Sequence, residues 1–213
     1  MPEPNAVLLS TAYFAPVQYY SKILAYPQVF MEQYEHFTKQ TYRNRCNILG
    51  ANGPVSLVIP VVKGRGPKTL IKNLKISYDT DWQRNHWRTI FSAYNSSPYF
   101  EFYKDDLKPF FKKPWKFLLD LNLSIYETIC DLLEIENNVI LTPGFEEVPK
   151  TTLNLREAIS PKKHLIPTDK HFQAANYTQV FSEKFGFVPN LSILDLLFNE
   201  GPNSSTILEE STI

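Results

Sequence analysis

The densest set of side chains able to do chemistry runs from His36 to Arg45, HFTKQTYRNR. If residues 41–49 form a strand, Thr41, Arg43, Arg45 and Asn47 share one face, because side chains alternate along a strand. Two guanidinium groups at i and i+2 can converge on one anion and grip a phosphate or carboxylate bidentately. Two adjacent arginines also repel, so something negative belongs beside them. It is either a bound anion or an Asp or Glu of the chain that neutralises a solvated strand face. His36 is either a proton carrier, since imidazole titrates near neutral pH, or a capping or core histidine. Lys39 has the charge to stabilise an oxyanion developing on a carbonyl or phosphoryl group.

A second cluster is Asp79 to Arg88, DTDWQRNHWR. Asp81 reads as a helix cap. His86 and Arg88 then fall near the first turn, where backbone N–H groups favour anions. The plainer reading has Asp79 and Asp81 neutralising basic neighbours, with His86 merely exposed. Tyr94, Ser97, Tyr99 and Phe100 follow as an aromatic wall, suited to a sugar or base and equally to a core.

Other chemistry finds little support. His36, His86, His164 and His171 show no HxxxH or HExxH spacing, and Cys46 and Cys130 form no CxxC, so no metal site is expected. There is no GxSxG nucleophile elbow. Cys46 beside Arg45 reads as a small buried hydrophobe. Only 7 glycines occur and the tightest cluster is Gly64-Arg65-Gly66. Phosphate-cradling loops need more, which disfavours ordinary dinucleotide enzymes and P-loop ATPases. No cofactor is identified.

The elements that must position these groups read as α/β. Ala6–Thr11 is a short buried strand, Val17–Ala25 a helix opened by Pro16 and stopped by Pro27, and Val29–Tyr34 a second strand. Strand, helix, strand in this span is a βαβ start. Thr41–Leu49 and Val55–Val62 make a hairpin about Gly50–Pro54, with Pro60 implying an edge or bulge. Lys63–Lys68 is a basic loop. Leu70–Tyr78 reads as another strand. Trp87, Ile90, Phe91 and Tyr94 have the spacing of a buried helical face. Phe100–Phe111 is helical with a break at Pro109, Trp115–Glu134 is a longer helix, and Asn138–Thr142 a late strand. Residues 145–176 look irregular. Tyr177–Glu183 and Ser192–Asn199 are short helices. The expectation is a single α/β domain over residues 1–202, a mixed sheet with helices packed on it, and a flexible polar tail over 203–213.

Composition bounds the function. The chain has 213 residues, 22 basic and 22 acidic, with zero formal charge, so no blanket affinity for nucleic acid or anionic membrane is expected. No apolar run is long enough to span a bilayer. No secretory leader is evident, and two cysteines suit a cytoplasmic protein with free thiols.

Several motifs, in order, resemble the WbqC-like protein family. They are TAYFAPVQYYSKI from Thr11 to Ile23, Glu35-His36-Phe37 through Lys39, Tyr42–Arg45, and Leu57–Val61. Later come His86–Ile90 with Tyr94, Ser97–Phe100, and Leu191–Leu197. The similarity covers nearly the whole chain, and the stretch LSILDLLFNEGP from Leu191 resembles bacterial members of the Bacteroidetes type. The resemblance implies a role near surface-polysaccharide and amino-sugar biosynthesis: a transferase attaching an amino-acid or acyl group to a nucleotide-linked amino sugar. On that reading His36, Lys39 and His86 are catalytic, and Tyr13, Arg43, Asn44, Arg45, Arg88, Tyr94 and Tyr99 bind substrate. The partner is then a phosphate-bearing small molecule, held where the Tyr13–Pro16 turn lines the crevice. A nucleotidyl-transfer variant lacks its HxGH motif. The alternative is a non-catalytic binding or assembly protein that docks through its aromatics and the Leu191–Phe198 helix.

Overall fold

The computed structural model describes residues 4–62, 69–145, 151–162 and 169–213. The basic loop Lys63–Lys68 and His164 lie outside the described residues.

A parallel sheet organises the chain. Strand β1 (Ala6–Ser10) is followed by helix α1 (Val17–Ala25) and strand β2 (Gln28–Glu32), which pairs with β1 in parallel from Ala6↔Gln28 to Ser10↔Glu32. This is the expected βαβ unit. Strand β5 (Val139–Leu141) adds beside β2 and β6 (Thr152–Asn154) beside β1, giving the order β5-β2-β1-β6. Val7 and Leu9 are fully buried and Ala6 and Leu8 nearly so, as expected of a parallel strand covered on both faces. Because all four strands run the same way, Ser10, Glu32, Leu141 and Asn154 end at one edge.

A two-stranded hairpin, β3 (Arg45–Gly50) and β4 (Gly53–Val58), turns through Ala51-Asn52. Gly53 sits at φ 113°, a conformation L side chains resist. Helices α2 (Trp82–Tyr94), α3 (Phe100–Leu107), α4 (Leu118–Leu132), α5 (Ser182–Phe185), α6 (Ile193–Glu200) and α7 (Ser204–Glu210) complete the molecule. The aromatic wealth of the sequence is spent on the core. Phe14 stacks on Phe111, Phe111 meets Trp87, Trp87 meets Phe100, and Phe100 meets Phe198, with centroids 5.0–6.2 Å apart. Among the described residues no helix is long and apolar enough to cross a membrane.

Six expectations need correction. Tyr177–Glu183 is not a helix: only Ser182–Phe185 wind into one. Residues 41–44 are not strand: Tyr42–Asn44 form a 3-10 turn and the strand begins at Arg45. Leu70–Tyr78 is not a strand either. Its backbone bonds scatter to Glu35, Gln33, Lys116 and Pro60, so no single neighbour supplies a ladder, and Ile71–Asn73 wind into a 3-10 turn. The stretch read as irregular contains β6. The tail is not flexible: α7 packs on α1 and buries Ile207 and Leu208, while Ser211 is tied to Ala175 and Ile207. Finally, Leu191 to Phe198 is buried throughout, so this helix is core and offers no docking face.

Candidate functional site

In an open parallel sheet the loops leaving the strand carboxyl ends enclose the ligand crevice. Here that edge carries a cavity of about 600 Å3, lined by Glu35 and His36 after β2, by Leu153–Ala158 along and after β6, and by Asp169–His171.

Buried ion pairs build its floor. The strand-end Glu32 accepts hydrogen bonds from the Thr142 hydroxyl (2.8 Å) and the Tyr34 backbone N–H (2.7 Å), and pairs with Arg156 Nη1 at 3.3 Å. Arg156 also lies over the Phe145 ring, 5.0 Å from its centroid. Glu35 receives Arg43 in a two-point grip, Nε to Oε1 at 2.7 Å and Nη2 to Oε2 at 2.6 Å. The same Nη2 donates to Ser10 Oγ (2.8 Å) and Glu157 Oε1 (3.1 Å), and Ser10 Oγ donates to Glu35 at 3.1 Å. Burial works against the Arg43 charge, and the bonds and charge of Glu35 outweigh it, so its affinity for the proton rises. From α1, the fully buried Lys22 reaches Asp169 at 2.9 Å. Burial pushes the Asp169 carboxyl up, but the Gln18 and Lys22 bonds win and hold it below its ordinary value.

Each of these buried charges thus has an internal counter-charge, Arg43 with Glu35, Lys22 with Asp169 and Glu32 with Arg156. At the rim stand Glu157, whose side chain is 74% exposed although one oxygen accepts from Arg43, and exposed Lys170, His36 and His171. The crevice therefore offers one carboxylate, one ammonium, the outer edge of Arg156, and two imidazoles. That set suits a ligand carrying both an amine and an anion.

The sequence-derived residues distribute unevenly. His36 lines the crevice and is exposed. Arg43 lies beneath it without lining it, and Glu35 and Glu157 already neutralise it. Lys39 is exposed and is not among the lining residues. Without a strand through 41–44, Arg43 and Arg45 do not share a face. The Arg45 Nε is instead buried with no hydrogen-bond partner among the described residues. Asn44 braces the loop, its side-chain amide donating to the Ile59 carbonyl at 2.8 Å.

His86, Tyr13, Arg88, Tyr94 and Tyr99 fall elsewhere. His86 is buried and faces the Tyr13 hydroxyl at 3.0 Å across Nδ1. Burial, only partly offset by a bond to the Val58 carbonyl, pushes this imidazole down to about 4 and favours its neutral form, and it does not line the crevice. Tyr13 is fully buried, as are Phe14 and Ala15, so this turn does not line the crevice. The N-terminus of α1 is closed to phosphate as well. The Val17 N–H donates to the Leu191 carbonyl and the Gln18 N–H to Asn190 Oδ1, both at 2.9 Å. Asp81 makes no cap bond and pairs with Arg84 at 2.7 Å. Arg88 sits in a separate cleft of about 320 Å3 at the hairpin tip. Tyr94 is core and donates to Asp195 at 2.9 Å. Tyr99 packs on Gly201, where a Cβ would lie 2.5 Å from its ring. Cys46 is a free, buried cysteine, and burial raises its thiol and disfavours the thiolate.

Sequence reasoning missed Ser10, Glu32, Glu35, Arg156, Glu157, Asp169 and His171. One signal was available for the first three: polar residues at and just beyond the ends of two short apolar strands in a βαβ unit. For Arg156 and Glu157 none existed, because a three-residue strand carries no periodicity.

A family model described as the WbqC-like protein family matches residues 11–207. The chain is also similar to Uncharacterized protein Rv1507c of Mycobacterium tuberculosis (strain ATCC 25618 / H37Rv). The two are 26% identical over 221 residues, covering 92% of this chain and 94% of that protein. No solved structure matches.

Proposed function

The chain belongs to the WbqC-like protein family, and from that premise we propose a transferase that places an acyl or aminoacyl group on the amine of a nucleotide-linked amino sugar, in surface-polysaccharide synthesis in the cytoplasm. One observation carries the reading. The strand-end crevice has a charge-balanced floor and a rim that presents Glu157 together with Lys170 and Arg156. An amino-sugar nucleotide has the complementary pattern, an amine at one end and phosphates at the other.

In this reading Arg156 and Lys170 take the phosphates and Glu157 holds the amine. His36 removes the proton as the amine nitrogen attacks the donor carbonyl. A C–N bond forms, the bond from the carbonyl carbon to the donor's leaving group breaks, and the proton passes to the imidazole and on to the leaving group. The anion grip expected of Arg43 and Arg45 passes to Lys170 and to the outer edge of Arg156, whose inner edge pairs with Glu32, because Arg43 has both Nε and Nη2 on Glu35.

The test is turnover with UDP- and dTDP-amino sugars and acyl donors, product mass being the readout. His36→Gln should lower kcat by about 100-fold or more while substrate affinity stays within a few-fold. Full activity in that variant, or no product with any amino-sugar nucleotide, contradicts the proposal.

A further inference from the structure

Acids and bases balance over the whole chain, but one stretch departs from that balance. Residues 108–116, KPFFKKPWK, hold four lysines and no acid. Backbone bonds bring a further lysine to this stretch. The Val62 N–H donates to the Lys75 carbonyl at 2.9 Å, the Ile76 N–H donates to the Lys116 carbonyl at 3.1 Å, and Lys75 stands opposite Phe117 in an antiparallel bridge. The Tyr78 hydroxyl donates to the Trp115 carbonyl at 3.1 Å and accepts from its N–H at 2.6 Å. Lys75, Lys112, Lys113 and Lys116 are all exposed.

None of these four lysines pairs with a carboxylate among the described residues, whereas Lys104 pairs with Glu101 and Arg84 with Asp81. Of the flanking acids, Asp79 accepts from the Ser77 hydroxyl at 2.7 Å and Asp81 has Arg84, which leaves Asp120 against four lysines. The loop after Val62, KGRGPK, lies outside the described residues; its sequence holds three bases and no acid, so it supplies nothing to neutralise the patch.

Apolar and aromatic side chains are interleaved with these charges. Val62 and Tyr78 are exposed, and Trp115 and Phe117 half-buried. The Lys113 ammonium lies 4.1 Å from the Trp115 centroid and that of Lys116 5.1 Å from the Phe117 centroid. This mixture discriminates between polyanions. Single-stranded nucleic acid is held by bases stacking on open ring faces. Here Trp115 already carries Phe110 and Lys113, and Phe117 carries Lys116. A bilayer surface needs no open ring face. It takes aromatic side chains at the headgroup level and lysine stems laid over apolar groups with the ammonium reaching phosphate.

We propose that this surface, formed by Val62, Lys75, Tyr78 and residues 112–117, docks the protein on an anionic phospholipid bilayer. Lys75, Lys112, Lys113 and Lys116 meet the lipid phosphates, and Val62 and Tyr78 sit among the headgroups. The inference is independent of the transferase reading, since none of these residues lines the crevice.

The experiment is co-sedimentation of the full chain with phosphatidylcholine vesicles containing about 30% phosphatidylglycerol, at about 50 mM salt. The wild type should sediment with these vesicles and not with phosphatidylcholine alone. A lysine near an anionic surface contributes roughly 5-fold in affinity. The triple variant Lys75→Gln, Lys113→Gln, Lys116→Gln should therefore bind about 100-fold more weakly. Lys184→Gln, beside the hairpin turn at Ala51, should stay within about 2-fold of wild type. Wild-type binding should also fall by at least about 10-fold between about 50 and 500 mM salt, a readout that holds even if the triple variant fails to fold. Failure to sediment with the anionic vesicles, equal sedimentation with phosphatidylcholine alone, or binding indifferent to salt overturns the proposal. So does undiminished binding by the folded triple variant. Capture of a single-stranded oligonucleotide or of polyglutamate in place of the vesicles overturns it as well.

Discussion

Arg43 serves Glu35, Ser10 and Glu157 through one guanidinium. Removing it strands Glu35 in a buried place, so Arg43→Ala should cost about 3–5 kcal/mol of stability in urea unfolding. Arg45→Ala should cost under about 1 kcal/mol; equal costs would contradict the pairing. The sequence said that something negative belongs near these arginines. It did not name Glu35, because residues eight apart meet only through a turn that periodicity mistook for strand. His86 and Asp195 make a second residue-scale prediction. Burial lifts the Asp195 carboxyl from 3.8 to about 6, against bonds from Tyr177, Tyr94 and Gln179. Its contribution to stability is complete below pH 3.8 and lost as pH rises through about 6. His86 falls from 6.5 to about 4, so its contribution is complete above pH 6.5 and lost as pH falls through about 4. Each amounts to about 3 kcal/mol, and between pH 4 and 6 they oppose each other. Asp195→Asn should unmask His86: relative to wild type, the variant should lose about 3 kcal/mol between pH 6.5 and pH 4. Superimposable pH profiles for the two proteins would refute this.

At the scale of elements, α1 was legible to the residue because Pro16 and Pro27 bracket it, and the hairpin because Gly50 to Pro54 is turn chemistry. Helix α7 was not. Its sequence SSTILEE has only two apolar residues, and what orders it is the space they fill against α1 and α6. Leu208, fully buried, should cost about 2–5 kcal/mol as Leu208→Ala. Glu209→Ala, on the exposed side, should be within about 0.5 kcal/mol of wild type. A fraying tail would make both changes silent in thermal unfolding. Strand β6 escaped reading for a related reason: three residues carry too little pattern, although their pairing with β1 places Arg156 and Glu157 at the crevice.

Across the whole molecule, a net charge of zero conceals a deliberate distribution. Arg43, Arg156 and Lys22 face Glu35, Glu32 and Asp169 in pairs beneath one edge of the sheet. The fold class and the βαβ start could be read from the chain. The location of this edge could not, because it depends on which strands pair. The motif residues split accordingly: His36 lines the crevice and Arg43 lies beneath it, paired with the lining residues Glu35 and Glu157, while Tyr13, His86 and Tyr94 are buried elsewhere and Tyr99 packs on Gly201. The central claim is that the crevice at the strand carboxyl ends is the ligand site. Its most direct test is thermal unfolding with a UDP-amino sugar in wild type, Arg156→Ala, Glu157→Gln and Arg88→Ala. At a hundred times its dissociation constant a ligand adds about 2.7 kcal/mol, or roughly 5–10 °C for a chain of this size. The shift should appear in wild type and Arg88→Ala and collapse in Arg156→Ala and Glu157→Gln. A shift lost in Arg88→Ala but kept in the two crevice variants would contradict the claim.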